Sequence, residues 1–289
     1  MKSTLFILLQ YITPHHLLSR LVGWFANTEI TWIKRLFIEK FAAQFAVNMA
    51  EAENPDLSSY ASFNEFFCRP LRADARPMTL DANRLLCPAD GAISQLGTID
   101  GQTIFQAKGR SFSLKALLGG NAELAEQFHN GSFCTVYLSP KDYHRVHMPI
   151  GGTLTTMTHV PGALFSVNPT TVEGVDNLFA RNERVVSVFE THLGPVAVIL
   201  VGAMIVASIE TVWAGEIAPR GKQPTHFNYR PQAPVELHQG EEMGRFKLGS
   251  TVILVLPPGV TEWESLSSGT PVRLGEPLAQ LTPKNPTES

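Results

Sequence analysis

The chain reads as an α+β protein: a predominantly β core, barrel-like or sandwich in build, with an amphipathic helical segment at its N-terminal end. Three observations carry this. Beyond about residue 85, short apolar runs recur between frequent Gly and Pro residues, a strand-and-turn rhythm. Residues 1 to about 50 instead place apolar side chains at helical spacing. Long helical patterns are few after that, and no internal repeat is visible. The 289 residues suit one large domain, 51–289, behind an N-terminal segment, 1–50.

The N-terminal segment divides into helical pieces at Thr4–Ile12, Leu17–Phe25 and Glu29 to about Val47. In the third, Ile33, Leu36, Phe37, Phe41 and Phe45 share a face. Trp24 and Trp32, with Lys2, Arg20, Lys34, Arg35 and Lys40, give the composition of a helix lying on a membrane surface. A helical layer packed on the protein's own core is the alternative. Ser62-Phe63-Asn64-Glu65 fits a capping box opening a short helix, Asn64–Phe67. Leu85 to Gly97 reads as strand around the Pro88-Ala89-Asp90-Gly91 turn. Thr98–Ile104 reads as a hairpin with its tight turn at Asp100-Gly101. Ser113–Leu118 and Ala122–His129 read as short helices. Strands follow at Phe133–Leu138, Gly152–Val160, Val185–Thr191, Val196–Glu210, Thr211–Ile217, Ser250–Leu256 and Pro271–Leu281. The tail from Thr282 reads as disordered.

Composition narrows the function. Net charge is −3, with 17% charged residues, so no basic surface for nucleic acid is expected. The three cysteines, Cys68, Cys87 and Cys134, lie far apart and read as buried free thiols of a reducing compartment. No apolar run reaches the roughly 20 residues of a spanning helix, and no cleavable signal is expected, because His15 and His16 follow the first apolar run. The glycines form no phosphate-cradling fingerprint, so no nucleotide cofactor is expected.

Two stretches carry reactive side chains. In Phe246-Lys247-Leu248-Gly249-Ser250-Thr251 a Gly-Ser step enters an apolar strand. Ser250 is a candidate nucleophile, and a bend into a core strand explains the pair equally well. In Lys141-Asp142-Tyr143-His144-Arg145-Val146-His147-Met148-Pro149, two histidines stand three apart. They suit acid/base work near neutral pH. A metal site needs further ligands, for which the spacing of His159 and His192 offers no support, and none is expected. Asp90 is a turn residue or the carboxylate that orients a histidine.

Phe63-Asn64-Glu65-Phe66-Phe67, Pro88-Ala89-Asp90-Gly91, the Leu138–His147 stretch, Gly202-Ala203 and Phe246–Thr251 together resemble the phosphatidylserine decarboxylases, in their bacterial membrane-associated form. The likeness runs from about Leu5 to Leu281. It implies a self-processing zymogen cut at Gly249–Ser250, with Ser250 becoming a covalent pyruvoyl group. Asp90, His147 and Ser250 match the family's self-cleavage triad, and His144 matches the histidine tied to decarboxylation, as proton donor. The products would be a β chain, Met1–Gly249, and an α chain, Ser250–Ser289, held as a heterodimer. The pyruvoyl carbonyl would form a Schiff base with the amine of phosphatidylserine, leading to phosphatidylethanolamine and CO2 in phospholipid biosynthesis. An anionic membrane surface is the expected partner, at the cytoplasmic face of the inner membrane. Ser166 and Asn168 are candidate substrate contacts. The competing readings are a serine hydrolase built on Ser250, His147 and Asp90, and a non-enzymatic membrane-surface binding module.

Overall fold

The computed structural model describes residues 2–204, 208–218, 221–230, 233–247 and 250–282. The chain is built around one antiparallel sheet. Across it run Thr225–Asn228, Gly152–Val160, Arg184–Thr191, Gly194–Val201, Ser250–Leu256, Ser132–Leu138, Gly91–Thr98 and Pro271–Val272, with Glu236–Leu237 also paired to Gly152–Val160. A strand covered on both faces needs apolar side chains at consecutive positions. Val252 to Leu256 meet this, each fully enclosed. Val252, Leu254 and Leu256 join one core with Val136, Leu138, Val198 and Leu200. Ile253 and Val255 join another with Phe133, Ile199 and Val201. Enclosing each such side chain contributes about 1.5–3 kcal/mol, so this strand is a principal anchor of both cores.

The first core is roofed by two small sheets. One orders Arg84–Leu86, Pro277–Leu281 and Thr261–Trp263; the other orders Gly215–Ala218, Ile209–Thr211, Glu242–Phe246 and Arg145–His147. The second core is covered by the short helices Leu114–Leu117, Ala122–Gln127, Pro169–Gly174 and Leu178–Arg181, and by the hairpin Thr103–Ala107/Arg110–Ser113. The α+β expectation therefore holds in sandwich form. The main sheet is open, and no closed barrel forms among the described residues.

Three sequence expectations change in detail. Val196–Glu210 is not one strand: Gly194–Val201 ends in the main sheet, and Ile209–Thr211 belongs to a small one. Pro271–Leu281 likewise splits into Pro271–Val272 and Pro277–Leu281, in different sheets. The hairpin is displaced too. Asp100-Gly101 makes only a tight turn closed by an isolated bridge to Thr103, while the paired ladder turns at Lys108-Gly109, with φ of 42° and 73°. Both residues are left-handed there, as a two-residue hairpin turn requires. Residues 283–289, expected to be disordered, lie outside the described residues.

Gly91 opens its strand because nothing larger fits. A Cβ there would lie 2.2 Å from the carbonyl oxygen of Tyr137. Gly91→Ala is expected to cost about 1–3 kcal/mol, read as a fall of several degrees in Tm; an unchanged melt would show that the two strands part freely.

Helices α1 (Lys2–Ile12), α2 (His15–Ala26) and α3 (Thr31–Phe45) precede the sheet. Their inner side is modest. Ala26 and Ile38 form a small core with Tyr60 and the helix α4 (Phe63–Phe67), where Phe41 lies edge-on to Phe63, Phe66 and Phe67. Ser62 caps α4 by accepting from Glu65 N, and the Glu65 carboxylate reaches back to Ala61 N. Helix α1 docks through Gln10, which accepts from Ser166 N and donates to Thr171, and through Tyr11, edge-on to Phe165. Its other side is open. Leu5, Leu8, Leu9, Ile12, Leu17, Leu21, Trp24, Trp32, Leu36 and Phe37 are all exposed. Elsewhere among the described residues the exposed large apolar side chains are Leu80, Phe105 and Val212. No helix of the described residues is long and apolar enough to cross a membrane.

Candidate active site

Ser250 begins the central strand. Its backbone lies opposite Leu138, and Thr251 lies opposite Tyr137 on one side and Val201 on the other. Leu248 and Gly249, and so the Gly249–Ser250 bond, lie outside the described residues. The chain approaches that bond along Glu242–Phe246, which pairs with Arg145–His147 in a small sheet. Phe246 N donates to His144 O at 3.0 Å. Leu138 and His144, on either side of the turn Ser139–Tyr143, thus bracket the chain before and after the bond. The basic residues just upstream are structural: Lys247 pairs with Glu216 and Glu210, and Arg245 with Glu242.

His144 is fully buried, its ring 4.0 Å from that of Phe67. Its Nδ1 lies 2.8 Å from Asp142 O, so Nδ1 carries the hydrogen and Nε2 is left as a lone pair. That Nε2 has no partner among the described residues, and neither do the buried hydroxyls of Ser139, Ser208 and Thr251. Ser208 O accepts from Lys247 N, which places this serine at the same stretch of chain. Buried polar atoms are nearly always bonded. Several orphans on the elements that pair with the chain near Ser250 mark a place shaped for groups other than these side chains. The unpartnered imidazole nitrogen fits a small polar group formed at position 250.

His147 is bound on both sides of its ring. Nδ1 donates to Gly240 O at 2.8 Å, and Nε2 accepts from the Tyr143 hydroxyl at 3.1 Å. Its N–H donates to Pro88 O, which fixes it beside the Asp90 turn. Asp90 itself is buried and held elsewhere. Arg76 grips its carboxylate through Nε at 2.9 Å and Nη2 at 2.5 Å, and Leu274 N donates to it at 2.9 Å. Arg76 also reaches Glu51 at 2.7 Å. Asp90 and His147 are therefore neighbours joined through backbone, with their side chains bonded to other partners in the uncut chain.

Residues 63–280 match the family model described as phosphatidylserine decarboxylase, and residues 5–46 match a second, described as PSD. The chain is 57% identical over 282 residues to the phosphatidylserine decarboxylase proenzyme of Saccharophagus degradans, covering 97% of this chain and 99% of that protein. It is 57% identical over 286 residues to that of Ectopseudomonas mendocina, covering 97% and 100%. The chain belongs to the phosphatidylserine decarboxylase family. It is thus a member of a family of enzymes whose relatives here are named as proenzymes. All the candidate site residues from Asp90 to Ser250 fall inside the family's 63–280 match.

The phosphatidylserine decarboxylase match leaves the substrate contacts to be read from the structure. A cleft of about 480 Å³ borders the site, lined by Asp90, Tyr137, Ser139 and Tyr143 on the sheet side and by Ala46 and Asn48 beyond α3. Ser166 and Asn168 lie apart from it. Asn168 caps the helix Pro169–Gly174 by accepting from Thr171 N and Oγ1, and Ser166 Oγ accepts from Asn168 N. Arg76 and Tyr143 were not assigned roles from sequence. Arg76 meets Asp90 from a turn-rich stretch with no spacing signal, whereas Tyr143 sits inside the histidine motif and its position, four before His147, was a usable hint.

Burial holds His144 neutral. Desolvation outweighs the bond to Asp142 and pushes its pKa from the ordinary 6.5 to about 3. Burial lowers His147 in the same direction. The unfolded chain takes up these protons near pH 6.5, the folded chain only at lower pH. Stability resting on the neutral rings is complete above pH 6.5 and is lost as pH falls towards 3. Urea unfolding of the uncut Ser250→Ala chain should show that slope. His144→Asn should flatten it by about one proton; an unchanged slope would mean that the folded chain already holds that proton.

Proposed function

We propose that the chain converts phosphatidylserine to phosphatidylethanolamine and CO2 after cutting itself between Gly249 and Ser250. The observation that supports this is the placement of Ser250 at the head of the central strand, opposite Leu138, with the chain before it hydrogen-bonded to the backbone of His144, whose buried Nε2 has no partner among the described residues. The cut begins when a base removes the proton of the Ser250 hydroxyl. His147 is the proposed base, since its Nε2 is an acceptor once Tyr143 turns away. The oxygen attacks the Gly249 carbonyl and the amide becomes an ester. Elimination then releases the Gly249 carboxylate, and hydrolysis of the resulting dehydroalanine gives ammonia and a pyruvoyl group at the new terminus. Asp90 supports this indirectly. Its grip on Arg76 and Leu274 N fixes the turn whose Pro88 carbonyl holds His147.

A pyruvoyl group at position 250 would supply a carbonyl for the substrate amine and an electron sink for the pair that CO2 leaves behind. The chain's own part is proton handling and dryness. His144 Nε2 is the proposed carrier of the one proton that the net reaction consumes, delivering it to the carbon that loses CO2. The ring of Phe67 and full burial keep water from competing. Ser166 and Asn168, which lie apart from the cleft at the cap of the helix Pro169–Gly174, remain proposed substrate contacts, and the cut chains are proposed to stay together as a β–α heterodimer.

The exposed apolar side of α1 to α3 supports docking on an anionic lipid surface, at the cytoplasmic face of the inner membrane, without spanning it. Replacing both Trp24 and Trp32 by Glu is expected to lower binding to anionic liposomes at least tenfold; cosedimentation equal to the parent would remove the docking role. The deciding experiment for the function is an intact-mass measurement with a CO2 assay on phosphatidylserine. Two fragments meeting at Gly249–Ser250 and released CO2 are expected. An uncut chain labelled by a serine-directed phosphonate would instead make it a hydrolase.

A further inference from the structure

Arg69 is the least expected charge in the molecule. It is 3% exposed, yet no carboxylate lies within ion-pair reach of it among the described residues. Among the described residues its guanidinium makes only long bonds, to Phe66 O at 3.5 Å and Lys141 O at 3.4 Å, and rests over the Phe66 ring. Nε is buried with no partner among the described residues. A buried cation without a counter-ion is costly, and burial accordingly pulls its pKa below the ordinary arginine value. The nearby acids are engaged elsewhere. Arg76 takes Asp90 and Glu51, and Asp142 accepts from Ser139 N. Arg69 and the exposed Lys141 line the same cleft. Its carboxylates Glu51 and Asp90 are taken by Arg76, and Glu51 also by Arg273, so Arg69 is left as a buried cation on the cleft wall with no carboxylate of its own among the described residues.

We propose that Arg69 and Lys141 form the subsite that holds the phosphodiester of the lipid headgroup. The cleft leads from the end of α3, on the lipid-facing layer, to the turn Ser139–Tyr143 beside Ser250. A headgroup entering there would meet the cations first, with its amine directed to position 250. The phosphodiester is assigned rather than the carboxylate for an energetic reason. An arginine clamped on the carboxylate would stabilise the charge that the reaction removes, and so oppose the step. The assignment rests on the decarboxylase reading, and its test has an arm that does not need turnover.

That arm titrates glycerophosphoserine, and separately inorganic phosphate, into the uncut Ser250→Ala chain. Glycerophosphoserine is expected to bind, and Arg69→Lys or Lys141→Gln to weaken it about tenfold, the worth of one charge-assisted hydrogen bond. In the cut enzyme the same variants should raise KM for phosphatidylserine about tenfold, a larger change than in kcat. Lys141 is exposed, so Lys141→Gln decides the matter should Arg69→Lys misfold. Absence of glycerophosphoserine binding, or binding indifferent to Lys141→Gln, overturns the subsite. Phosphate binding as tight as glycerophosphoserine makes it a free-phosphate site and overturns the headgroup assignment. Parent enzyme that releases no CO2 defeats the decarboxylase reading, and the binding arm then still decides the subsite.

Discussion

Ser250→Ala is expected to leave one uncut 289-residue chain that releases no CO2 from phosphatidylserine. The loss should be complete rather than partial, because in the proposed reaction the hydroxyl is both the attacking group and the source of the cofactor. Misfolding is not the expected cause. Ser250 is only the first residue of its strand, and the enclosed residues Val252 to Leu256 that anchor both cores are untouched. The variant should therefore melt within a few degrees of an uncut parent. A denaturing gel, intact mass and a melt on one preparation settle the point. Residual CO2 from a fully uncut chain would sink the pyruvoyl reading altogether.

The two histidines should separate the two stages. His147→Ala is expected to slow self-cleavage by about 10²–10⁴, the usual worth of a general base. His144→Ala should still cut, but lose about 10²–10⁴ in CO2 release from the cut enzyme. Geometry is the reason for the division. His147 lies beside the Asp90 turn with both nitrogens bonded, a ring that is held and can switch partners. His144 is fully buried, and its Nε2 has no partner among the described residues. With its pKa near 3 it cannot begin as a donor at neutral pH; it must first accept a proton. Time courses on gels, with CO2 release normalised to cut enzyme, distinguish the stages. If His144→Ala blocked cutting while His147→Ala spared it, the roles would be exchanged.

Much of this was legible in the chain itself. The consecutive apolar run Val252–Leu256 announces a strand with no wet face, and that is where it lies. The Ser62 cap and the buried thiols of Cys68, Cys87 and Cys134 also followed from local chemistry. Strands such as Arg145–His147 and Glu242–Phe246 did not. They are short and polar, and exist because each is the other's partner. Arg76 and Arg69 were illegible for a related reason. A buried charge is placed by what surrounds it in space, and neither its type nor its neighbours in sequence tell which acid it meets, or that it meets none. The apolar first segment was legible as two-sided. Only the structure showed that Phe41 turns inward while Leu36 and Phe37 turn out.

One feature of the main sheet bears on how such a protein can be made. Ser250–Leu256 runs between Ser132–Leu138 and Gly194–Val201, hydrogen-bonded along both edges. Downstream, Pro271–Val272 and Pro277–Leu281 are threaded into two further sheet positions. Once severed at its first residue, this piece would have no free side from which to peel away. Scission would thus be invisible to the architecture, and it could occur only after the weave is finished, since before that nothing brackets the bond. On the proposed reaction, maturation would then serve as a quality seal: a chain that never assembled its sheet would never acquire a reactive carbonyl. Two halves synthesised separately would have to insert a central strand between two strands already placed in the sheet, so co-expressed fragments should fail where the single chain succeeds.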